Sequence, residues 1–291
     1  MADKSEIHAL IQLLDDPDET IFNQVKDKLK SYGVDVIPSL ESFWEFNDYD
    51  MLFQQRIESL IHDIQFDTLK QELGEWKTKG ANDLFEGALL VAKYQYPDLD
   101  EKKLYQKLDQ IERDVWLEMN DDLTAFEKVK VLNHILFDVH NFRGNKKNYH
   151  SPQNSYINHV LETGKGNPLS LAIIYIVVAR RSKMPIFGVN LPNHFVVCYM
   201  DEYNLSALIN DTDSNVMFFI NPFSLGTIFN HKEIDQFLSE LNIAPEEKFY
   251  EPCDNVTIIK RMLTNLIYSY NKSGYLDKVD EVHQLLKTIE D

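Results

Sequence analysis

The segment GKGNPLSLAIIYIVVARRSKMP, residues 164–185, decides how the rest of the chain is read. Asn167 is a good helix N-cap, Pro168 suits the first helical position and Pro185 ends the run. Between them LSLAIIYIVVA is apolar on every side, the pattern of a helix buried all round rather than along one stripe. Downstream, IFGVNL (186–191) and HFVVCYMDE (194–202) carry β-branched and aromatic residues in alternating or continuous apolar runs, as strands do. VMFFINPF (216–223) predicts a third strand stopped by Asn221-Pro222, and NLSALINDTDSN (204–215) a polar hairpin excursion. One buried helix followed by antiparallel strands predicts an α+β domain over residues 143–250.

Upstream the rhythm is helical. SEIHALIQLLDD (5–16) places Ile7, Leu10, Ile11 and Leu14 on one face. The next two helices offer Ile21, Val25 and Leu29, stopped at Gly33, then Ile37, Leu40 and Trp44. Helix, DDPD turn, second helix and VIPSL together resemble a HEAT-like repeat. Further helices follow through TAFEKVKVLNHILFDVHNF (124–142), with Val129, Leu132, Leu136 and Val139 expected inward. Residues 1–142 are therefore read as a helical HEAT-like region. The tail, 251–291, is read as two amphipathic helices broken at Ser273-Gly274, resembling a tetratricopeptide-like hairpin.

Composition excludes several classes. With 47 acidic against 29 basic residues the formal net charge is −18, which repels phosphate backbones, so no nucleic-acid partner is expected. No run is apolar enough to span a bilayer and the first residues lack the apolar core of a signal peptide, so a cytoplasmic protein without a membrane partner is expected. Two cysteines, Cys198 and Cys253, are too few for a disulfide framework or a cysteine-rich zinc site. His134 and Asp138 lie one turn apart with His140 off that face, and two ligands do not make a metal site. No metal or other cofactor is expected. Phe43, Trp44 and Phe46 are read as bundle core.

A series of short motifs carries a family resemblance. NSY (154–156), G-x-P-x-S-L (166–171), P-x-H-F (192–195), a strand ending N-P-F (221–223) and R-M-L-x-N-L (261–266) occur in that order. Over roughly residues 150–271 the chain resembles the SirB-type branch of the transglutaminase-like superfamily. The resemblance implies a papain/transglutaminase-like α+β core with a tetratricopeptide-like tail. It also implies a site in which a cysteine starts the buried helix, a histidine opens the next strand and an aspartate on the strand after orients it. In such a site the helix dipole and the imidazole lower the thiol pKa, and the thiolate attacks an amide carbonyl.

Carried onto this chain, the histidine position is His194, the carboxylate position is Asn221 and the nucleophile position falls on Pro168. The nearest hydroxyl is Ser170. Cys198 shares a strand face with His194, but four residues at ~3.3 Å each set it ~13 Å away, beyond nucleophile–base contact. It is read as a core residue, and nothing in YEPCDN marks Cys253 as activated. Ser170 is expected to hydrogen-bond locally and His194 to line a relic cleft. The expected function is non-catalytic: a peptide- or protein-binding or scaffold module, using the cleft around Ser170, His194 and Asn221 or the concave surface of the helical region. The alternative is a hydrolase or acyltransferase rebuilt on Ser170, or another nucleophile, with His194.

Overall fold

The computed structural model describes residues 4–46, 51–201 and 215–290. The polar excursion expected over 204–215 lies, but for Asn215, outside them. The chain divides into two compact units, Met1–Gly74 and Glu75–Asp291.

In the first unit α1 (Lys4–Gln12), α2 (Glu19–Lys30), α3 (Ile37–Phe46) and most of α4 (Met51–Thr78) enclose one core. Asp18 caps α2 by accepting from the Thr20 amide at 2.8 Å. Ile7, Ile11, Leu14, Val25, Leu29 and Leu40 are buried as the spacing predicts. Ile21 and Trp44 are instead exposed, and Phe22 and Phe43 turn inward. Phe22 lies three residues before the buried Val25 and Phe43 three after the buried Leu40, on the same helical face as the positions four away that were expected inward.

The second unit is built around the apolar segment. Twelve consecutive residues of α9 (Pro168–Arg181), Pro168 to Ala179, are buried. Covering them takes α5 (Leu84–Lys93), α6 (Glu101–Glu118) and α8 (Ile157–Thr163) on the helical side. The other side meets β3 (Ile186–Val189), β4 (Val196–Met200) and α11 (Asn255–Ser273). The strands form an antiparallel sheet in the order β3-β4-β5-β6, where β5 is Val216–Asn221 and β6 is Thr227–Phe229. A two-residue parallel pair, β1 (Arg143–Gly144) with β2 (Lys165–Gly166), lies just before α9. After the sheet come α10 (His231–Glu240), then α11 and α12 (Leu276–Glu290), the last two separated at Gly274 in the left-handed conformation. The fold is α+β with helices at both ends.

The boundaries expected at 142/143 and 250/251 both fall inside this unit. The reason is physical: a helix apolar on all sides draws α5 and α6 against it as firmly as the strands, and α11 as well. Val139 departs from expectation too. Beyond α7 (Ala125–Asn133) the chain continues as a π-helical stretch, His134–Val139. Its wider turn keeps Ile135, Leu136 and Phe137 buried and leaves Val139 exposed.

If α9 organises this unit, Ile176→Ala at its fully buried centre should cost about 2–5 kcal/mol, and Ile176→Val about 0.5–1.5 kcal/mol, in urea unfolding. A loss of less than about 1 kcal/mol for the alanine variant would show that the helix is not the keystone.

Candidate functional site

The start of α9 is tied down by a capping box. The Asn167 Oδ1 accepts from the Ser170 amide at 2.9 Å, and the Ser170 Oγ accepts from the Asn167 amide at 3.0 Å. The same hydroxyl lies 3.3 Å from the Asn167 carbonyl, to which it donates. Asn167 Nδ2 donates to Ser155 Oγ at 2.9 Å, which couples the helix start to the NSY segment. Asn154 Nδ2 donates to the carbonyls of Asn148 and Tyr149, holding the loop that ends at His150. Tyr156 completes the segment through a 2.5 Å hydroxyl contact with Tyr270 of α11. Gly166 is required by space, because a Cβ there would lie 2.5 Å from Ser170 Oγ. The first two motifs are thus one hydrogen-bonded assembly.

His194 does not open the strand. It closes a turn between β3 and β4, its amide donating to the Leu191 carbonyl at 3.3 Å while Asn193 takes a left-handed φ of 56°. β4 begins two residues later, at Val196. The ring lies 6.2 Å from that of Phe237. Burial pulls its pKa below the usual imidazole value; a hydrogen bond with the Asn221 side chain opposes the shift, and the charge of Arg261 adds to it. Asn221 ends β5, and its Oδ1 also accepts from the amides of Phe223 and Ser224 at 3.1 and 3.2 Å, capping the turn into β6. His194 and Asn221 are therefore brought together.

His194, Pro168 and Leu169 line a cleft of about 500 Å³. Its far wall comes from α11, which contributes Arg261, Asn265 and Tyr268. Ser170 is not part of the lining; it is buried behind the helix start and bonded to Asn167. Cys198 is buried between Phe187 and Phe219 in the sheet, and Cys253 forms a single bridge with Gly188 at the edge of β3. Burial pushes both thiols up to about 12, so at neutral pH neither is the thiolate that nucleophilic attack needs. His134 Nδ1 meets Asp138 Oδ2 at 3.2 Å, while His140 Nε2 meets Asp114 Oδ2 at 2.8 Å. Among the described residues no three His, Cys, Asp or Glu side chains gather as metal ligands.

Arg261 and Asn265 were missed as site residues by the sequence reading, although they sit inside R-M-L-x-N-L. The signal was present in the spacing. Met262, Leu263 and Leu266 are buried, and Arg261, Thr264, Asn265 and Tyr268, interleaved with and flanking them, form a polar stripe one helical face away. Arg261 Nη1 donates to Asn190 Oδ1 at 3.2 Å, and its guanidinium is partly buried.

A buried helix starting at a cleft, a histidine on the turn into the adjoining strand and that histidine's partner on the next strand define the transglutaminase-like class. Residues 102–264 match the sequence profile of the transglutaminase-like superfamily, and the chain belongs to that superfamily. It is similar to the UPF0162 proteins of two strains of Xylella fastidiosa. One is 31% identical over 204 residues, covering 67% of each chain, and the other 33% identical over 202 residues with the same coverage. It is also 27% identical over 156 residues to the mouse F-box only protein 21, spanning 54% of this chain and 23% of that one. No solved structure matches. Among the described residues no helix is long and apolar enough to cross a membrane.

The depressed pKa of His194 fixes the sign of a pH effect. As pH falls below about 6.5 the unfolded chain takes up a proton before the folded ring does, so stability contributed by the neutral ring is full above that pH and lost below it. His231 is shifted the same way by burial and contributes in parallel. Nuclear magnetic resonance titration should place the His194 midpoint below the free-histidine value, and His194→Gln should flatten the decline in stability between about pH 7 and about pH 5. A midpoint above 6.5 would reverse the assignment.

Proposed function

We propose that this protein is a SirB-type member of the superfamily that has lost its nucleophile and uses the remaining cleft to bind a peptide or protein segment. The observation that carries the reading is Pro168. The helix position that shares the cleft with His194 holds a residue with no nucleophilic atom. Three further features support it. The Ser170 hydroxyl is committed to the capping box, Asn221 offers no charge to offset an imidazolium, and the thiols of buried Cys198 and half-buried Cys253 are both favoured in the protonated form. What persists is an open cleft with aromatic, amide and guanidinium groups on its walls, suited to holding a chain without cleaving it.

Intact-mass labelling tests this directly. The wild type, treated in parallel with a fluorophosphonate and with iodoacetamide, should acquire no rapid adduct. One fast stoichiometric adduct that disappears in His194→Ala would make the protein an enzyme and overturn the proposal. Pro168→Cys should, by contrast, alkylate faster than cysteine in the denatured chain, because a helix N-terminus lowers a thiol pKa. Removing His194 as well should slow it.

A further inference from the structure

We infer that the cleft and the cavity adjoining it take an acidic peptide segment, whose carboxylates pair with Arg261 in the first and with Lys147 and Lys272 in the second. This rests on the peptide-binding reading above and specifies the ligand's chemistry. The second cavity, of about 820 Å³, is lined by Lys147, Lys272 and Lys278 with Tyr96, Tyr270 and Tyr275. It shares Tyr149 and His150 with the cleft, so the two adjoin across a common wall.

Charge carries the argument. The chain has 47 acidic residues to 29 basic, yet neither cavity has an aspartate or glutamate in its lining. Several cations elsewhere do have a carboxylate partner, as Lys26 has Asp63, Lys30 has Asp67, Lys93 has Glu101 and Arg181 has Asp109 and Glu112. Lys147 and Lys272 form no ion pair among the described residues. Among the described residues Arg261 donates to the neutral amide of Asn190 and to no carboxylate, and Lys278 rests on Gln95 Oε1 at 2.6 Å and over the Tyr270 ring at 5.3 Å. A partly buried guanidinium without a carboxylate is costly in isolation and favours an anion from outside.

The walls indicate which kind of anion. Tyr149, Tyr268 and Tyr275 are the exposed tyrosines among the described residues, and all three line these cavities. Exposed tyrosine with asparagine and glutamine suits a polypeptide, offering rings for side chains and amides for backbone hydrogen bonds. A nucleic acid needs a longer cationic track, and a net charge of −18 opposes its approach more strongly than that of a short peptide.

The test is fluorescence anisotropy on the full chain with three fluorescein-labelled octapeptides in which alanine alternates with glutamate, glutamine or lysine. The glutamate peptide should bind at least about tenfold more tightly than the glutamine peptide and weaken as salt rises. Arg261→Gln and the double variant Lys147→Gln/Lys272→Gln should each abolish most of that preference, and Lys287→Gln should not. Circular dichroism checks folding; should Arg261→Gln fail to fold, the lysine variant decides. Equal binding of the glutamate and glutamine peptides would overturn the acidic preference and leave the peptide-binding reading standing. Binding of none of the three would sink both. Tighter binding of an eight-nucleotide oligothymidylate than of the glutamate peptide would also overturn the inference, in favour of a nucleic acid.

Discussion

Burial of α9 on every side is the constraint from which the larger unit follows. Each of its isoleucines and valines gains roughly 1.5–3 kcal/mol by leaving water, but only if something covers each face. No single sheet can do that. The strands cover one side, and α5, α6, α8 and α11 supply the rest. Elements far apart in the chain are thereby drawn into one unit beginning at Glu75, and the helices over 75–142 belong to it together with the sheet.

The same constraint shapes the site. A buried helix must satisfy its first amides from within the protein, and here Asn167 and Ser170 satisfy each other while Ser155 takes up the remaining asparagine donor. Ser170 is therefore spent on structure, and Pro168, which has no amide hydrogen to satisfy, fits the first turn. At this helix start Pro168 and Leu169 line the cleft, and the Ser170 hydroxyl does not. Burial and the nearby charge of Arg261 favour the neutral form of His194, against a hydrogen bond with Asn221 that favours the imidazolium.

α11 gives the site its other wall. Its buried face carries Met262, Leu263 and Leu266, and the stripe from Arg261 to Tyr268 beside that face lines the cleft. A helix outside the α+β core as first delimited thus supplies the guanidinium that distinguishes the pocket chemically.

Much of this was legible from residue order. The N-cap, proline and apolar run of α9, the three strand segments, the break at Gly274 and the lack of a thiol at the helix start all follow from local rules: capping chemistry, periodicity and residue identity. Other features were decided only in three dimensions. Phe43 is inside as expected, but that Phe22 rather than Ile21 turns inward and Trp44 turns out is a choice between helical neighbours three and four apart that spacing leaves open, and Val139 turns out because a π-helical turn breaks the 3.6-residue period. The approach of Arg261, His194 and Tyr149 round one cleft leaves no periodic trace, since each belongs to a separate segment. Local patterns state what a segment buries; the partner it buries against, and so the cavity left between them, is settled only when all the apolar faces have been matched.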